Sequence, residues 1–243
     1  DYASLIQRAI LPDRQLSATL GEHHFILWKP RDVVGGDFYV YREQTDGYLI
    51  GVVDCAGHGV PGALMTMLAR AAIDHAIEAV GSRDPAAILG ETDQAMRSML
   101  SQEQIPQALA TNMDAGLVWV DRRRRQLAFA GAKISLYASD GEEVQELKGA
   151  RRAIGDKRRG DYRNIEVPLA PGWTFYLSTD GFLDQAGGEH GFGFGSRRFA
   201  DMLRDHARQP LPEQAEAFVA TLAEYQGEHP QRDDITILSF RFD

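Results

Sequence analysis

Short runs rich in apolar residues, separated by polar stretches with glycine, proline or turn residues, recur along the chain, and this pattern predicts β-strands. Such runs cover residues 23–30, 36–42 and 48–54, with the pair Asp46-Gly47 forming a hairpin turn before the third run. The later predicted strands are residues 109–120, 125–130, 134–138, 143–147, 162–167, 173–179 and 234–242.

Proline and glycine mark the ends of the predicted helices. Residues 1–11 form a helical lead-in that Pro12 ends, Pro61 opens a long helix that Gly81 ends, and Pro85 begins the next one. The predicted helices after the lead-in are residues 63–80, 85–99, 197–207 and 212–224, with Ser196 as the cap of the third. Strands and helices occur in blocks rather than in strict alternation, which favours an α+β sandwich of antiparallel sheets with helices outside.

Composition narrows the class of protein. The chain has 243 residues, is 44% hydrophobic and contains no linker or repeat, so we predict one domain spanning residues 1–243. A net charge of −9 argues against a nucleic-acid partner. The single cysteine, Cys55, excludes an internal disulfide and a multi-cysteine zinc site, and it indicates a cytoplasmic setting.

The start of the chain suggests a wider context. It begins at Asp1 with the tail of a helix, so we expect a piece of a longer protein with an upstream sensor or membrane region, anchored in the bacterial inner membrane. Leu5, Ile6 and Ala9 would either pair with a second copy, giving a homodimer through this helix, or pack on the domain itself.

Four aspartates share one context: each stands at the end of an apolar strand beside glycine or a turn. A carboxylate in that position is costly unless it is paired, hydrogen-bonded or bound to a metal. One Asp-Gly pair is more often a simple turn, so the joint pattern is the signal. Divalent cations such as Mg²⁺ take oxygen ligands, and converging strand ends would provide them. The four aspartates are Asp37, Asp54, Asp180 and Asp233 (or its neighbour Asp234).

The four motifs resemble those of a known family in order and approximate spacing. Residues 33–39 (VVGGDFY), 54–63 (DCAGHGVPGA), 178–182 (STDGF) and 232–238 (RDDITIL) are similar to the bacterial PPM-type serine/threonine protein phosphatases, SpoIIE/RsbU-type branch. The resemblance runs from about Ile6 to the C-terminus. It implies a four-layer α-β-β-α sandwich of two antiparallel sheets flanked by helices.

The resemblance also implies a metal centre of two Mg²⁺ or Mn²⁺ ions that activate a water for attack on phosphorus. By motif, Asp54 would bridge the ions and the Cys55 carbonyl would reach the second ion. Asp180 and Asp233 would hold the first ion, and Asp37 would serve the second. The implied substrate is a phosphorylated STAS-like protein, an anti-sigma-factor antagonist.

Several residues have open roles beside this centre. Asp234 would orient either Asp233 or the backbone, and Asp114 is either a third-metal ligand or a structural residue. For His58, packing in the glycine-rich turn is favoured over protonation of the leaving oxygen. The basic runs are usually solvated turns, but Arg151 or Arg152 would be the better candidates to guide a phosphoprotein.

Two positions depart from the branch's pattern. Val40 replaces a frequent aspartate, and residues 130–133 (AGAK) replace the usual Ala-Gly-His motif. Neither position carries a metal, so the departures would alter substrate recognition rather than activity. They fit a subgroup of these phosphatases that regulates biofilms.

Rival functions were weighed against this one. The run at 35–38 (GGDF) lacks the second acid of a diguanylate cyclase, and the chain lacks the Cys-x5-Arg loop of a cysteine phosphatase, since position 61 is Pro. The remaining alternative is a catalytically silent PPM-like scaffold that binds a phosphoprotein. The presence of every metal-position carboxylate favours an active enzyme.

Overall fold

Two five-stranded antiparallel sheets form the centre of the fold, in a computed structural model that describes residues 2–100 and 110–242. The helices are α1 (Tyr2–Ala9), α2 (Asp13–Leu20), α3 (Gly59–Val80), α4 (Pro85–Leu100), α5 (Gly181–Asp184), α6 (Gly195–His206) and α7 (Leu211–Gln226). The strands are β1 (His24–Lys29), β2 (Asp37–Gln44), β3 (Gly47–Cys55), β4 (Met113–Asp121), β5 (Gln126–Ala132), β6 (Leu136–Ser139), β7 (Val144–Leu147), β8 (Ile165–Pro168), β9 (Thr174–Ser178), β10 (Ala186–Gly187), β11 (Phe192–Gly193) and β12 (Ile235–Arg241).

The strand order places distant segments side by side. One sheet has the order β1-β12-β9-β6-β7, so the strand nearest the N-terminus pairs with the last strand of the chain. The other sheet has the order β2-β3-β4-β5-β8: β2–β3 and β4–β5 are hairpins, whereas α3 and α4 lie between β3 and β4, and β6 and β7 lie between β5 and β8. Strands β10 and β11 form a separate two-stranded ribbon, which was not among the predicted strands.

Burial on both faces of the strands produces the four layers. In β3, Ile50 and Val52 point toward the other sheet, whereas Leu49 and Val53 point toward α3 and α4. Alternating side chains of a strand face opposite sides of its sheet, so a strand covered on both sides is apolar at nearly every position. On the second sheet, Phe218 of α7 packs against the outer face in the same way.

The predicted α+β four-layer sandwich is confirmed, and several boundaries are corrected. Helix α2 was not predicted because Pro12 suggested a break; Pro12 instead precedes the first turn of a helix whose buried residues are Leu16 and Leu20. Strand β4 begins at Met113 rather than at 109, a position outside the described residues. Ser196 lies within the first turn of α6 and does not cap it. In the described part of the chain, no helix is long and apolar enough to cross a membrane.

Candidate metal centre

Three neighbouring strands bring aspartates together at one edge of the β2-β3-β4-β5-β8 sheet. Asp37 begins β2, Asp54 is the penultimate residue of β3, and Asp114 is the second residue of β4. The register pairs Asp37 with Asp54 and Asp54 with Asp114. Directly opposed residues of antiparallel strands project to the same face, so their side chains are forced into proximity. Such like charges would repel if all were ionised.

The other sheet contributes two more aspartates to the same place. Asp180 follows β9 and Asp233 precedes β12, and these strands are antiparallel neighbours whose ends meet at this edge. Carboxylate oxygens of Asp54, Asp114 and Asp180 all lie within 4.8 Å of one another. These three residues, Asp233 and the Cys55 segment line one cavity of about 180 Å³. Packing of the two sheets therefore brings together aspartates that lie as far apart in the sequence as Asp54 and Asp233.

Asp37 is buried just behind the cavity. Its Oδ2 accepts hydrogen bonds from the hydroxyls of Thr179 (2.7 Å) and Thr236 (2.8 Å). Its Oδ1 is equally buried, yet it has no hydrogen-bond partner in the described part of the chain. An unsatisfied carboxylate oxygen is costly, and a cation would satisfy it.

Burial and mutual repulsion raise the pKa values of the cluster. Burial is the main cause for both Asp37 and Asp54, and neighbouring carboxylates add to it: Asp234 for Asp37, and Asp37 for Asp54. The pKa of Asp114 is raised to about 6 by burial, against the opposing charge of Lys133. Burial also raises the pKa of Asp233. Each shift disfavours the ionised carboxylate, so a bound cation would have to offset the cost of ionising the cluster.

Asp234 faces away from this cavity and holds the preceding loop. Its two carboxylate oxygens accept the backbone N–H groups of Arg31 (2.8 Å) and Gly36 (2.7 Å). A Cβ on Gly35 would lie 2.5 Å from the Asp234 carboxylate, and one on Gly36 would lie 2.7 Å from the Cys55 carbonyl oxygen. Only glycine permits this close approach. The geometry therefore gives Asp234 the backbone-holding position and leaves Asp233 at the cavity.

Helix α1 reaches the same loop through Gln7. The buried side chain of Gln7 donates to the Gly35 carbonyl (2.6 Å) and accepts from the Gly35 N–H (3.0 Å). Buried backbone groups need such partners. The loop that leads into Asp37 is thus fixed from both sides, by Asp234 and by the N-terminal helix. Nothing in the sequence signals this role, because Gln7 is one of several polar residues in a short amphipathic helix.

The remaining predicted residues lie around the cavity. His58 immediately precedes α3, half-exposed, with its Nδ1 3.0 Å from the Asp32 carboxylate. Arg151 and Arg152 are exposed on a segment joined to the cavity wall: the Ala150 N–H bonds to Gly131, and Ile154 exchanges backbone hydrogen bonds with Met113.

Sequence reasoning missed Lys133 as a residue of the cavity. Its ammonium group lies 3.8 Å from the Asp114 carboxylate, and its side chain lines the cavity with the four aspartates. Lys133 was noted only as part of the changed motif at 130–133. The change in this motif was the one signal in the sequence, but it could not show that the lysine side chain would line the aspartate cavity.

The donor set fits divalent cations. Carboxylates and a backbone carbonyl are hard oxygen ligands, the kind that Mg²⁺ and Mn²⁺ take. The orphaned Asp37 oxygen and the raised pKa values both indicate missing positive charge at this edge. In the described ranges, no histidine lines the cavity, and burial raises the pKa of the Cys55 thiol, which disfavours a thiolate ligand.

Comparison with known proteins agrees with this architecture. The chain is 96% identical to the SiaA-PP2C domain of Pseudomonas aeruginosa, with a TM-score of 0.95 over 100% of this chain and 95% of that one. A structure of RsbX in complex with magnesium shares the fold, with a TM-score of 0.59 at 18% identity over 89% of this chain and 92% of that one.

A curated relative and a family model point the same way. The chain is 23% identical over 205 residues to phosphoserine phosphatase RsbP of Bacillus subtilis (strain 168). The match covers 83% of this chain and 47% of that protein, so the chain spans about half the length of this relative. The fold is that of the PP2C-type phosphatases. The model of Stage II sporulation protein E (SpoIIE) matches residues 44–243, and the chain belongs to that family.

Proposed function

We propose that this chain hydrolyses phosphoserine or phosphothreonine on a STAS-like regulatory protein in bacterial partner-switching signalling, with Mg²⁺ or Mn²⁺ as cofactor. The observation that carries the proposal is the meeting of the Asp54, Asp114 and Asp180 carboxylates within 4.8 Å. Membership of the SpoIIE family supports the reaction class. The STAS-like substrate rests on resemblance to the SpoIIE/RsbU-type branch.

Each residue has a distinct task in this scheme. Asp54, the Cys55 carbonyl and Asp37 would hold one cation, while Asp54, Asp180 and Asp233 would hold the other. Asp114 stands where a third cation would bind. When bound, the cations supply an acidified water and neutralise phosphoryl oxygens.

The protein supplies positioning around that centre. Thr179 and Thr236 fix the orientation of Asp37 by donating to one of its oxygens. Asp234 fixes the glycine loop that carries Asp37. Residues that orient ligands in this way commonly matter 10–100-fold for metal affinity or activity. Arg151 and Arg152, exposed beside the cavity wall, would contact acidic or phosphorylated segments of the protein substrate.

The test is metal-dependent turnover. Purified protein should hydrolyse p-nitrophenyl phosphate with Mn²⁺ or Mg²⁺, lose this activity with EDTA, and release phosphate from a phosphorylated STAS protein encoded nearby. Arg151→Ala and Arg152→Ala should raise KM for the phosphoprotein but not for p-nitrophenyl phosphate. Binding of the phosphoprotein without any metal-dependent hydrolysis would instead establish the silent scaffold.

The setting of the domain is part of the proposal. We place it on the cytoplasmic side, in a longer protein with a sensor or membrane region upstream and a role in biofilm regulation. Tyr2, Leu5 and Ile6 expose apolar surface on α1, which supports dimerisation through this helix. Sedimentation of the chain with and without Leu5→Asp would test the dimer.

A further inference from the structure

Lys133 adopts an unusual backbone conformation at the end of β5. Its φ is 65°, and Arg125 is the one other non-glycine residue with positive φ in residues 2–100 and 110–242. This conformation costs a residue with a Cβ about 1–2 kcal/mol. Neighbouring backbone fixes it, because the Lys133 N–H donates to the Ala150 carbonyl (2.8 Å) and the residue bridges Ala115. The fold thus imposes a strained position and with it the direction of the side chain.

The lysine side chain is only loosely engaged. Its Nζ lies 3.8 Å from Asp114 Oδ2, beyond the usual length of a charge-assisted hydrogen bond. About half of the side chain is exposed (51%), so the ammonium group remains open to another acceptor. An ion pair of this length and exposure contributes little stability by itself.

The charge around Lys133 indicates what that acceptor is. Every other charged residue that lines the cavity in the described part of the chain is an aspartate. A phosphoryl dianion has to approach this acidic wall, and among the cavity-lining residues that the structure describes, Lys133 is the one that carries a positive charge. Lysine is well suited to this contact, because it presents a compact charge with three donors on a flexible stem.

We propose that Lys133 binds a phosphoryl oxygen of the substrate through its ammonium group, which makes it a substrate-binding residue of the aspartate cavity. The proposal rests on the phosphatase function proposed above. A lysine that only neutralised Asp114 would explain the charge but not the long contact, the exposure or the strained backbone that holds it at the cavity wall.

The experiment compares Lys133→Met and Lys133→Arg with Lys148→Met, an exposed lysine that follows β7. Calorimetry measures binding of inorganic phosphate to the Mn²⁺-loaded protein, and a separate titration measures Mn²⁺ binding. We expect Lys133→Met to weaken phosphate binding about 10-fold or more, because a hydrogen bond to a charged group is lost. Lys133→Arg should retain most of the affinity, and Lys148→Met should match the unmodified protein.

Two results would overturn the proposal. One is unchanged phosphate affinity in Lys133→Met. The other is a fall in Mn²⁺ affinity that accounts for the loss of phosphate binding, which would make the lysine a part of the metal site. The double variant Lys133→Met/Asp114→Asn should bind phosphate as weakly as Lys133→Met. If the second substitution restored the affinity, the lysine would only neutralise the Asp114 carboxylate.

Phosphate calorimetry does not require turnover. An absence of hydrolysis by the unmodified protein would therefore refute the proposed function while the role of Lys133 was still decided. If turnover is present, the KM for p-nitrophenyl phosphate should rise in Lys133→Met by more than kcat falls.

Discussion

Both ends of the β2-β3-β4-β5-β8 sheet carry acidic residues, but the two ends differ in the cationic partners of these acids. At the cavity end, Asp54 and Asp114 face each other and Asp180 with one loose lysine contact. At the opposite end, each acid has an arginine partner. The pairs there are Glu43–Arg122, Asp46–Arg83 and Asp121–Arg124, at N···O distances of 3.5, 2.8 and 4.0 Å.

The contrast shows what separates a binding site from a charged surface. At the paired end, each of these three acids lies within ion-pair distance of its own arginine. At the cavity end the chain gathers carboxylates, buries them and supplies too little positive charge, which costs stability until a cation arrives. Aspartates are present at both ends, and the feature specific to the site is the ratio of charges: one lysine lines the cavity with four aspartates.

The largest effect is expected from Asp54→Asn, which removes the carboxylate shared by the whole cluster. Turnover should fall by about 10³-fold or more, because metal stabilisation of the transition state amounts to several kcal/mol. The matched control is Asp121→Asn at the paired end, which should keep full activity. Without metal, the free energy of unfolding of Asp54→Asn should equal or exceed that of the unmodified protein, because the variant no longer buries a carboxylate among other carboxylates. Equal activity of the two variants would remove the distinction between the ends.

A smaller effect is expected from Asp234→Asn, which leaves the cavity carboxylates in place. The amide has one acceptor oxygen, so either the Arg31 or the Gly36 N–H loses its partner, at a cost of about 1–3 kcal/mol of stability. Activity should fall about 10–100-fold through displacement of the loop that carries Asp37. Denaturant titrations and initial rates measure the two effects, and a loss as complete as that of Asp54→Asn would contradict the positioning role.

The pH dependence of stability sharpens the comparison further. Asp114 has a pKa of about 6 in the folded protein, above its ordinary value, so the unfolded chain releases this proton first. The free energy of unfolding of the metal-free protein should therefore decrease as pH rises from about 4 to about 6. Asp114→Asn should flatten this decrease, whereas Asp121→Asn should not. Unfolding in EDTA at several pH values tests this, and identical slopes for both variants would contradict it.

The smallest effect belongs to the paired end. Arg124 lies 4.0 Å from Asp121 Oδ2, and its side chain is 79% exposed. Arg124→Ala should cost at most about 1 kcal/mol of stability, because water screens such pairs and the backbone N–H of residue 124 still donates to Asp121. Turnover and Mn²⁺ affinity should not change. A large loss of either would show that the far end is coupled to the cavity.

Much of the fold could be predicted from short apolar runs bounded by turn residues. Strands β3 and β12 were placed to within one or two residues, because their side chains are buried on both faces and both strands are therefore rich in apolar residues. Helix α2 was not predicted, because Pro12 gave a stronger local signal than the two leucines that the helix buries. The short β10–β11 ribbon escaped because strands of two residues carry no period; its position depends on Tyr225, whose hydroxyl bonds the Phe192 carbonyl (2.8 Å).

The sequence by itself determined the residue types of the site: aspartates after apolar strands, glycines where the backbone must approach closely, and motifs shared with a phosphatase family. Only the tertiary structure decided which carboxylates meet, that Asp233 faces the cavity while Asp234 holds the loop, and that Gln7 and Lys133 belong to the same region. The reason is physical. Adjacent residues of an extended chain point in opposite directions, and only packing of the two sheets decides which direction becomes the site.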